Sequence, residues 1–334
     1  MALADVDLIH DFGDAAAEAR ACRTNCALFD FSFLECARLE GDGAQNLIET
    51  FTGRSLNNLR QKAILYALRA GPGGALAADL TVWKTGNQSF EVMSGRREDI
   101  ASLLLCSASN VNVSDVTMQR AVFAVQGPNT LAALRRIGDM RRVQELSYFT
   151  FDKAELAGIP CTIGRLGYTG EAGVEIITER DRARELWGVL SKNVTPAGFV
   201  AADTLRIEAG LVLFRNEFRV PVGAREAGLE KFGKNVDQPG PAITLVSFRA
   251  KAGRLECPWQ PSTRLSRPTE PGTVVVTSAC ESEIAGGVLG LGYVVAGTSP
   301  HATVHEASGA FRDVHLTRRP YYDPDRRRAR SAWS

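Results

Sequence analysis

The sequence predicts an α+β fold, a mixed helix–strand body over residues 1–240 followed by an all-β domain over residues 241–334. Three observations predict it. Helical patterns are confined to the first two-thirds of the chain. A stretch from Phe232 to Pro241 carries Gly233, Pro239, Gly240 and Pro241 and reads as a linker. Beyond it come only short strand-like runs without helical periodicity, the pattern of a small barrel or sandwich.

The elements follow in order. Asp14 to Cys26 is Ala-rich with Glu and Arg interspersed and predicts a helix. Ala27 to Ser32 leads into a strand, Cys36 to Glu40, which Gly41-Asp42-Gly43 ends before a short helix from Ala44 to Phe51. Ala63 to Arg69 and Leu80 to Thr85 predict strands joined by the bend Ala70-Gly71-Pro72-Gly73-Gly74. A strand from Ser89 to Met93 and a helix from Arg97 to Ser107 follow. Arg120 to Val125 has the apolar run of a buried strand, and Asn129 to Ile137 reads as a helix. Gly158 to Leu166 and Val174 to Ile177 predict strands around a Gly-rich turn, and Asp181 to Ser191 and Asp203 to Leu211 predict helices. Beyond the linker, Ile243 to Arg249, Gly272 to Ser278, Gly290 to Ala296, Ala302 to Glu306 and Phe311 to Leu316 read as strands. Tyr321 to Ser334, with Arg326, Arg327, Arg328 and Arg330, reads as a solvated tail, with an anion-binding arm as the alternative.

Composition excludes some functions. The chain has 334 residues, 39 basic against 38 acidic, for a formal charge of +1. That balance argues against nucleic-acid binding. No apolar stretch is long enough to span a membrane, and the N-terminus lacks a signal pattern, so the expected compartment is the cytoplasm. Seven scattered cysteines fit reduced thiols better than a disulfide framework. Of the four histidines, His10, His301, His305 and His315, only His10 precedes the C-terminal third, which disfavours a Ser-His-Asp or Cys-His site. His301 and His305 stand in a strand-like region, and Cys22 and Cys26 have no second pair, so neither makes a metal site. The Gly71 bend lacks the Lys-Ser/Thr of a phosphate loop.

The most informative stretch is Gly167-Tyr168-Thr169-Gly170-Glu171-Ala172-Gly173-Val174-Glu175-Ile176. Glycine at every third position permits a tight turn with the backbone close to its neighbours. By spacing alone an ordinary hairpin explains it better than a binding loop. The stretch resembles the Gly-Tyr-Thr-Gly-Glu signature of the folate-binding glycine-cleavage T-protein, or aminomethyltransferase, family. Further stretches resemble that family in the same order. Ala27-Leu28-Phe29-Asp30-Phe31-Ser32 is similar to its Phe-Asp-x-Ser motif, and Val125-Gln126-Gly127-Pro128-Asn129 to its Gln-Gly-Pro. Asp203-Thr204-Leu205-Arg206-Ile207-Glu208-Ala209-Gly210-Leu211 is similar to its Asp-Thr-Leu-Arg helix. Glu226-Ala227-Gly228-Leu229 and Val276-Thr277-Ser278 continue the likeness.

The resemblance implies a body of two interleaved α/β lobes with a C-terminal β-barrel, and tetrahydrofolate as cofactor. It implies Asp79, after the Gly73-Gly74 bend, as the catalytic carboxylate. It implies Tyr66, Tyr168, Glu175 and Arg206 as folate-site residues, with Glu175 reading the pterin by two-pronged hydrogen bonding. By their own chemistry Tyr66 also reads as a half-buried strand aromatic, Asp79 as a strand cap, and Arg206 with Glu208 as a buried ion pair. The implied function is transfer of a methyl or aminomethyl unit to tetrahydrofolate, including demethylation of a small amine or sulfonium compound. The alternative is a non-catalytic folate-binding subunit or an iron–sulfur assembly factor of the same family. The implied partner is a small one-carbon donor or a carrier protein, with the chain a monomer or weak oligomer. The chain departs from the family at Ala202, where glycine-cleavage members carry Arg, at Gly95, where they carry Asn, and at Phe214-Arg215. It also lacks the family's Gly-Trp-x-x-Pro segment before Asp14, and the Lys-Gly-Cys motif of the iron–sulfur branch.

Overall fold

The computed structural model describes residues 2–3, 6–106, 110–254, 263–317 and 319–333. They form two compact units. The first comprises Met1–Ala67, Asp79–Ala202 and Arg326–Ser334, and the second Leu68–Ala78 and Asp203–Asp325.

The first unit contains a six-stranded sheet in the order Phe151–Leu156, Ile159–Gly164, Gly173–Glu179, Arg120–Gln126, Ala27–Asp30, Thr195–Pro196. All pairs are antiparallel except the last. Side chains alternate across a strand, and one face of this sheet is apolar: Leu28, Phe123, Val125, Ile163, Val174 and Ile176 pack with Leu131, Leu134, Leu186 and Leu190 into one core. The helices Thr130–Leu134 and Ala183–Leu190 carry the last four of these. Helix Ala15–Thr24 starts at Asp14, whose carboxylate accepts from the amides of Ala16 and Ala17 at 3.0 Å each.

A second, five-stranded sheet has the order Ile64–Ala70, Leu76–Lys84, Ser89–Ser94, Glu35–Glu40, Asn112–Asp115. Its covered face joins Leu39, Leu80, Val82, Phe90 and Val92 to Ile48 and Phe51 of helix Ala44–Thr52 and to Ile100 and Leu103 of helix Arg97–Leu105. Alternation then turns Asp79, Thr81 and Trp83 to the opposite face.

The second unit holds a closed barrel in the order Ile243–Ala250, Gly287–Val295, Thr273–Ser282, Thr303–Glu306, Val314–Thr317. Pairing of Val314–Thr317 back onto Ile243–Ala250 closes it, which removes exposed strand edges. Phe248, Val274, Val276, Val294, Val304, Val314 and Leu316 fill it. A bulge between Val276 and Ser278 interrupts the Thr273–Ser282 pairing and aims Thr277 and Ser278 at the carboxylate of Glu217.

Several elements differ from the sequence expectation. Ala27–Asp30 is itself a sheet strand, not a lead-in. The helix expected over Asn129–Ile137 is regular only over Thr130–Leu134, because Arg136 and Ile137 switch to i→i−3 bonds. The helix expected from Asp203 begins at Phe199. Helix Arg97–Leu105 ends before Ser107, which lies outside the described residues. Strands Asn112–Asp115 and Phe151–Leu156 were not foreseen. The tail is not simply solvated: Trp333 packs against the core of the first unit, and Arg165 Nη2 donates to the Ser331 carbonyl.

Candidate functional site

Two of the sequence motifs interlock around Gln126. This side chain is fully buried at the end of strand Arg120–Gln126. Its Nε2 donates to the carbonyls of Leu166 at 3.1 Å and Val174 at 3.2 Å, and its Oε1 accepts from Thr169 Oγ1 at 3.1 Å. A Cβ on Gly167 would sit 1.8 Å from Gln126 Oε1, and one on Gly173 2.5 Å from its Nε2. The glycines are therefore there to let the amide into the turn. Glu171 of the same turn is held by the Arg23 guanidinium at 3.1 Å, with both side chains nearly buried.

Glu175 is set by register. Phe151, Gly164, Glu175, Ala124 and Phe29 lie opposite one another across five strands, so they share the face away from the apolar core. The neighbours on either side of Glu175 are Gly164 and Ala124, which leave room beside the carboxylate. Part of that room is taken by Trp83: a Cβ on Gly164 would meet its ring at 2.3 Å. Glu175 is 8% exposed and accepts no hydrogen bond from the described residues. Burial alone pushes its carboxyl up to about 7.

Trp83 ties the two sheets of this unit together. It is buried, packs on Phe151 with ring centroids 5.2 Å apart, and donates from Nε1 to Thr81 Oγ1 at 3.0 Å. Asp79 lies on the same face of the same strand as Trp83. Tyr66 OH donates to Asp79 Oδ2 at 3.0 Å. Burial, then the Asp79 charge, push the Tyr66 phenol well above its ordinary range, which keeps it a neutral donor. Tyr168 of the Gly-rich turn lies near enough to Tyr66 to act on it.

The structure brings Tyr66 to Asp79 by a hydrogen bond and Tyr168 within electrostatic reach of Tyr66, and it places Glu175 within electrostatic reach of Tyr148. Arg206 belongs to the second unit, is fully buried, and donates to Asp203 Oδ1 at 2.8 Å, Glu217 Oε2 at 2.9 Å and Ser278 Oγ at 2.7 Å. Tyr148, absent from the sequence reading, and Arg330 of the tail also lie in the first unit. Tyr148 lies within electrostatic reach of Glu175, and burial raises its phenol. It precedes Phe149, whose φ of 64° is a left-handed conformation that no sequence signal betrays. Arg330 of the tail stands over the Tyr148 ring, 5.9 Å from its centroid. The Arg run was visible; its place was not. Cys22 and Cys26 are buried, with thiols pushed up to about 12 and about 11 by burial, the behaviour of packing residues rather than nucleophiles.

A mixed α/β body with a closed five-stranded barrel is a fold already seen in solved structures. The glycine cleavage system aminomethyltransferase T from Bartonella henselae matches with a TM-score of 0.78 and 23% identity, over 97% of this chain and 94% of that one. Residues 10–235 match the family model of the GCVT N-terminal domain, and the chain belongs to that family. An aminomethyltransferase of Thermoanaerobacter sp. (strain X514) is 32% identical over 67% of this chain and 63% of its own length. The mitochondrial aminomethyltransferase of Gallus gallus is 31% identical over 84% of this chain and 77% of its own length. The chain thus spans less than two-thirds of the Thermoanaerobacter relative.

Proposed function

We propose that the chain binds tetrahydrofolate in the first unit and transfers a one-carbon unit, methyl or aminomethyl, to it. The observation that carries this reading is Glu175, a nearly buried carboxylate with no donor among the described residues. Such a group is costly unless a ligand supplies N–H donors. A pterin edge, with a ring N–H beside an exocyclic amine, presents two donors to the two carboxylate oxygens. The similarity to aminomethyltransferases supports the same reading.

When bound, tetrahydrofolate supplies the nitrogen nucleophile that takes the one-carbon unit. Asp79 places a fixed negative charge beside Tyr66 and stabilises positive charge that develops as the transfer proceeds. Tyr66 orients Asp79 through its 3.0 Å hydrogen bond. Trp83 and Phe151 wall the room beside Glu175 against water. Arg206 takes no part in binding in this reading; its donors go to Asp203, Glu217 and Ser278. The donor is a small methylated amine or sulfonium compound, or an aminomethyl group borne by a carrier protein.

A second reading, folate binding without turnover, is favoured by Ala202, a buried apolar residue where glycine-cleavage members carry Arg. Incubation of the whole chain with tetrahydrofolate and a panel of methylated donors separates the two. One-carbon-substituted folate forming with one donor, and failing to form with Asp79→Asn, supports transfer. Tight folate binding with no product from any donor supports the second reading.

A further inference from the structure

The segment from Phe232 to Pro241, which the sequence presents as a linker, grips a hairpin. That hairpin is made of strands Ile64–Ala70 and Leu76–Lys84, neighbours in the five-stranded sheet. Its tip, Leu68–Ala78, belongs to the second unit, while Tyr66 and Asp79, which flank the tip, belong to the first. The tip is held within the second unit. The Leu76 amide donates to the carbonyl of Val222, a buried residue, at 2.8 Å. Gln238 Nε2 donates to the Gly73 carbonyl at 3.3 Å. A Cβ on Gly74 would sit 2.5 Å from Val236 Cγ1, so Val236 lies directly against the Gly74 backbone. A Cβ on Gly233 would sit 3.0 Å from Leu68 Cβ. Gly73 and Gly74 have φ of 73° and 80°, a conformation that glycine supplies and side chains resist. The segment is itself pinned, because Asn235 Oδ1 accepts from the Arg225 amide at 2.9 Å. Across the hairpin, beside the held tip, Tyr66 OH donates to Asp79 at 3.0 Å.

We propose that the segment Phe232–Pro241 is a positioning element: by fixing the hairpin tip through Val236 and Gln238, it sets the Tyr66–Asp79 pair. A two-stranded ribbon without further packing is marginally stable and strongly twisted. Contacts at its tip remove that freedom, and the geometry across the two strands becomes fixed where Tyr66 meets Asp79. Val236 and Gln238 act through the hairpin and are positioning residues. Their bearing on transfer rests on the tetrahydrofolate reading above. A charge that stabilises a transition state must already be in place when the reaction starts, and a displacement of about 1 Å costs up to about 100-fold in rate. The rate at Asp79 is then set in part by residues remote from it in sequence, in a stretch that otherwise only leads into the barrel.

The test uses the full chain carrying a carbon-13 label at the tyrosine ζ carbon, whose chemical shift reads the hydrogen bond of each phenol. Tyr66→Phe assigns the Tyr66 signal, and Asp79→Ala marks its unbonded position. Val236→Ala with Gln238→Ala is expected to move the Tyr66 signal toward that position. The isosteric Val236→Thr is expected to leave it at the wild-type place. Gly74→Ala drives a methyl into Val236 and is expected to move the signal as well. Val236 is 40% exposed and Gln238 is half-buried, so the double variant keeps its fold and carries the test even if Gly74→Ala does not. In single-turnover transfer the double variant is expected to be slower by about 10- to 100-fold, with tetrahydrofolate affinity little changed. A Tyr66 signal that stays in place while the melting temperature falls would overturn the inference and leave the segment a packing element. So would a loss of affinity that matches the loss of rate. A wild-type chain that binds no tetrahydrofolate, or transfers nothing to it, would remove the reading above instead, and the Tyr66 signal would still decide whether the segment sets the pair.

Discussion

Glu175 is held between two small neighbours, away from water and without a donor among the described residues, so it destabilises the folded chain whenever it is ionised. Its folded carboxyl titrates near 7 against an ordinary 4.5. Between those values the folded state holds a proton that the unfolded state has lost. Stability is therefore highest below about 4.5 and falls as pH rises through about 7, by roughly 3 kcal/mol in all. Urea unfolding at pH 8 is expected to show Glu175→Gln more stable than wild type by up to about 3 kcal/mol, with the gain vanishing near pH 4. A variant that is no more stable at pH 8 would mean that the carboxylate is satisfied in solution. Asp79 gives the complementary case. Asp79→Asn keeps the shape and removes the charge, so single-turnover rates are expected to fall about 100- to 1,000-fold, with folate affinity changed only a few-fold. Loss of binding and rate together would make Asp79 a ground-state ligand instead.

The glycine turn from Gly167 to Gly173 forms because Gln126 fills its interior, and its stability is local to that contact. Gly167→Ala forces a methyl into the amide and is expected to cost about 1–3 kcal/mol, the range of overpacking. Thermal melts of Gly167→Ala and of the pair Gly167→Ala with Gln126→Ala check the cause: the second change should remove the clash, so the two costs should not add. The sequence made this turn legible as a signature, since Gly167, Gly170 and Gly173 are spaced for close backbone approach. It did not show what approaches, because Gln126 is forty-odd residues away and its role depends on strand register. The same limit hid strand Phe151–Leu156, whose Asp152, Lys153 and Glu155 give no apolar run and whose pairing with Ile159–Gly164 depends on register. The barrel strands were legible because apolar runs such as Val274–Val276 are short and broken by turn residues. Tyr148 was illegible because no motif marks it and the left-handed backbone of Phe149 beside it has no sequence signal.

At the scale of the whole molecule, a buried polar hub lies within the second unit, and Glu175 and the Tyr66–Asp79 pair lie within the first. In the hub, Arg206 satisfies Asp203 and Glu217 with every one of these side chains buried. Arg206→Ala leaves those carboxylates without their cation and is expected to cost about 3–5 kcal/mol by chemical denaturation. The tail was the feature least readable from sequence. A run of arginines looks solvated until Trp333, five residues past Arg328, is seen to bind the core of the first unit. The claim that joins these scales is that Glu175 is completed by the donors of a reduced folate. Isothermal titration with tetrahydrofolate at pH 6, in two buffers of different ionisation enthalpy, tests it most directly. The account predicts saturable binding that releases protons at pH 6, because the ligand holds Glu175 ionised, with little release at pH 8.5 and no binding by Glu175→Ala. Binding without proton release at pH 6, or undiminished binding by Glu175→Ala, would contradict it.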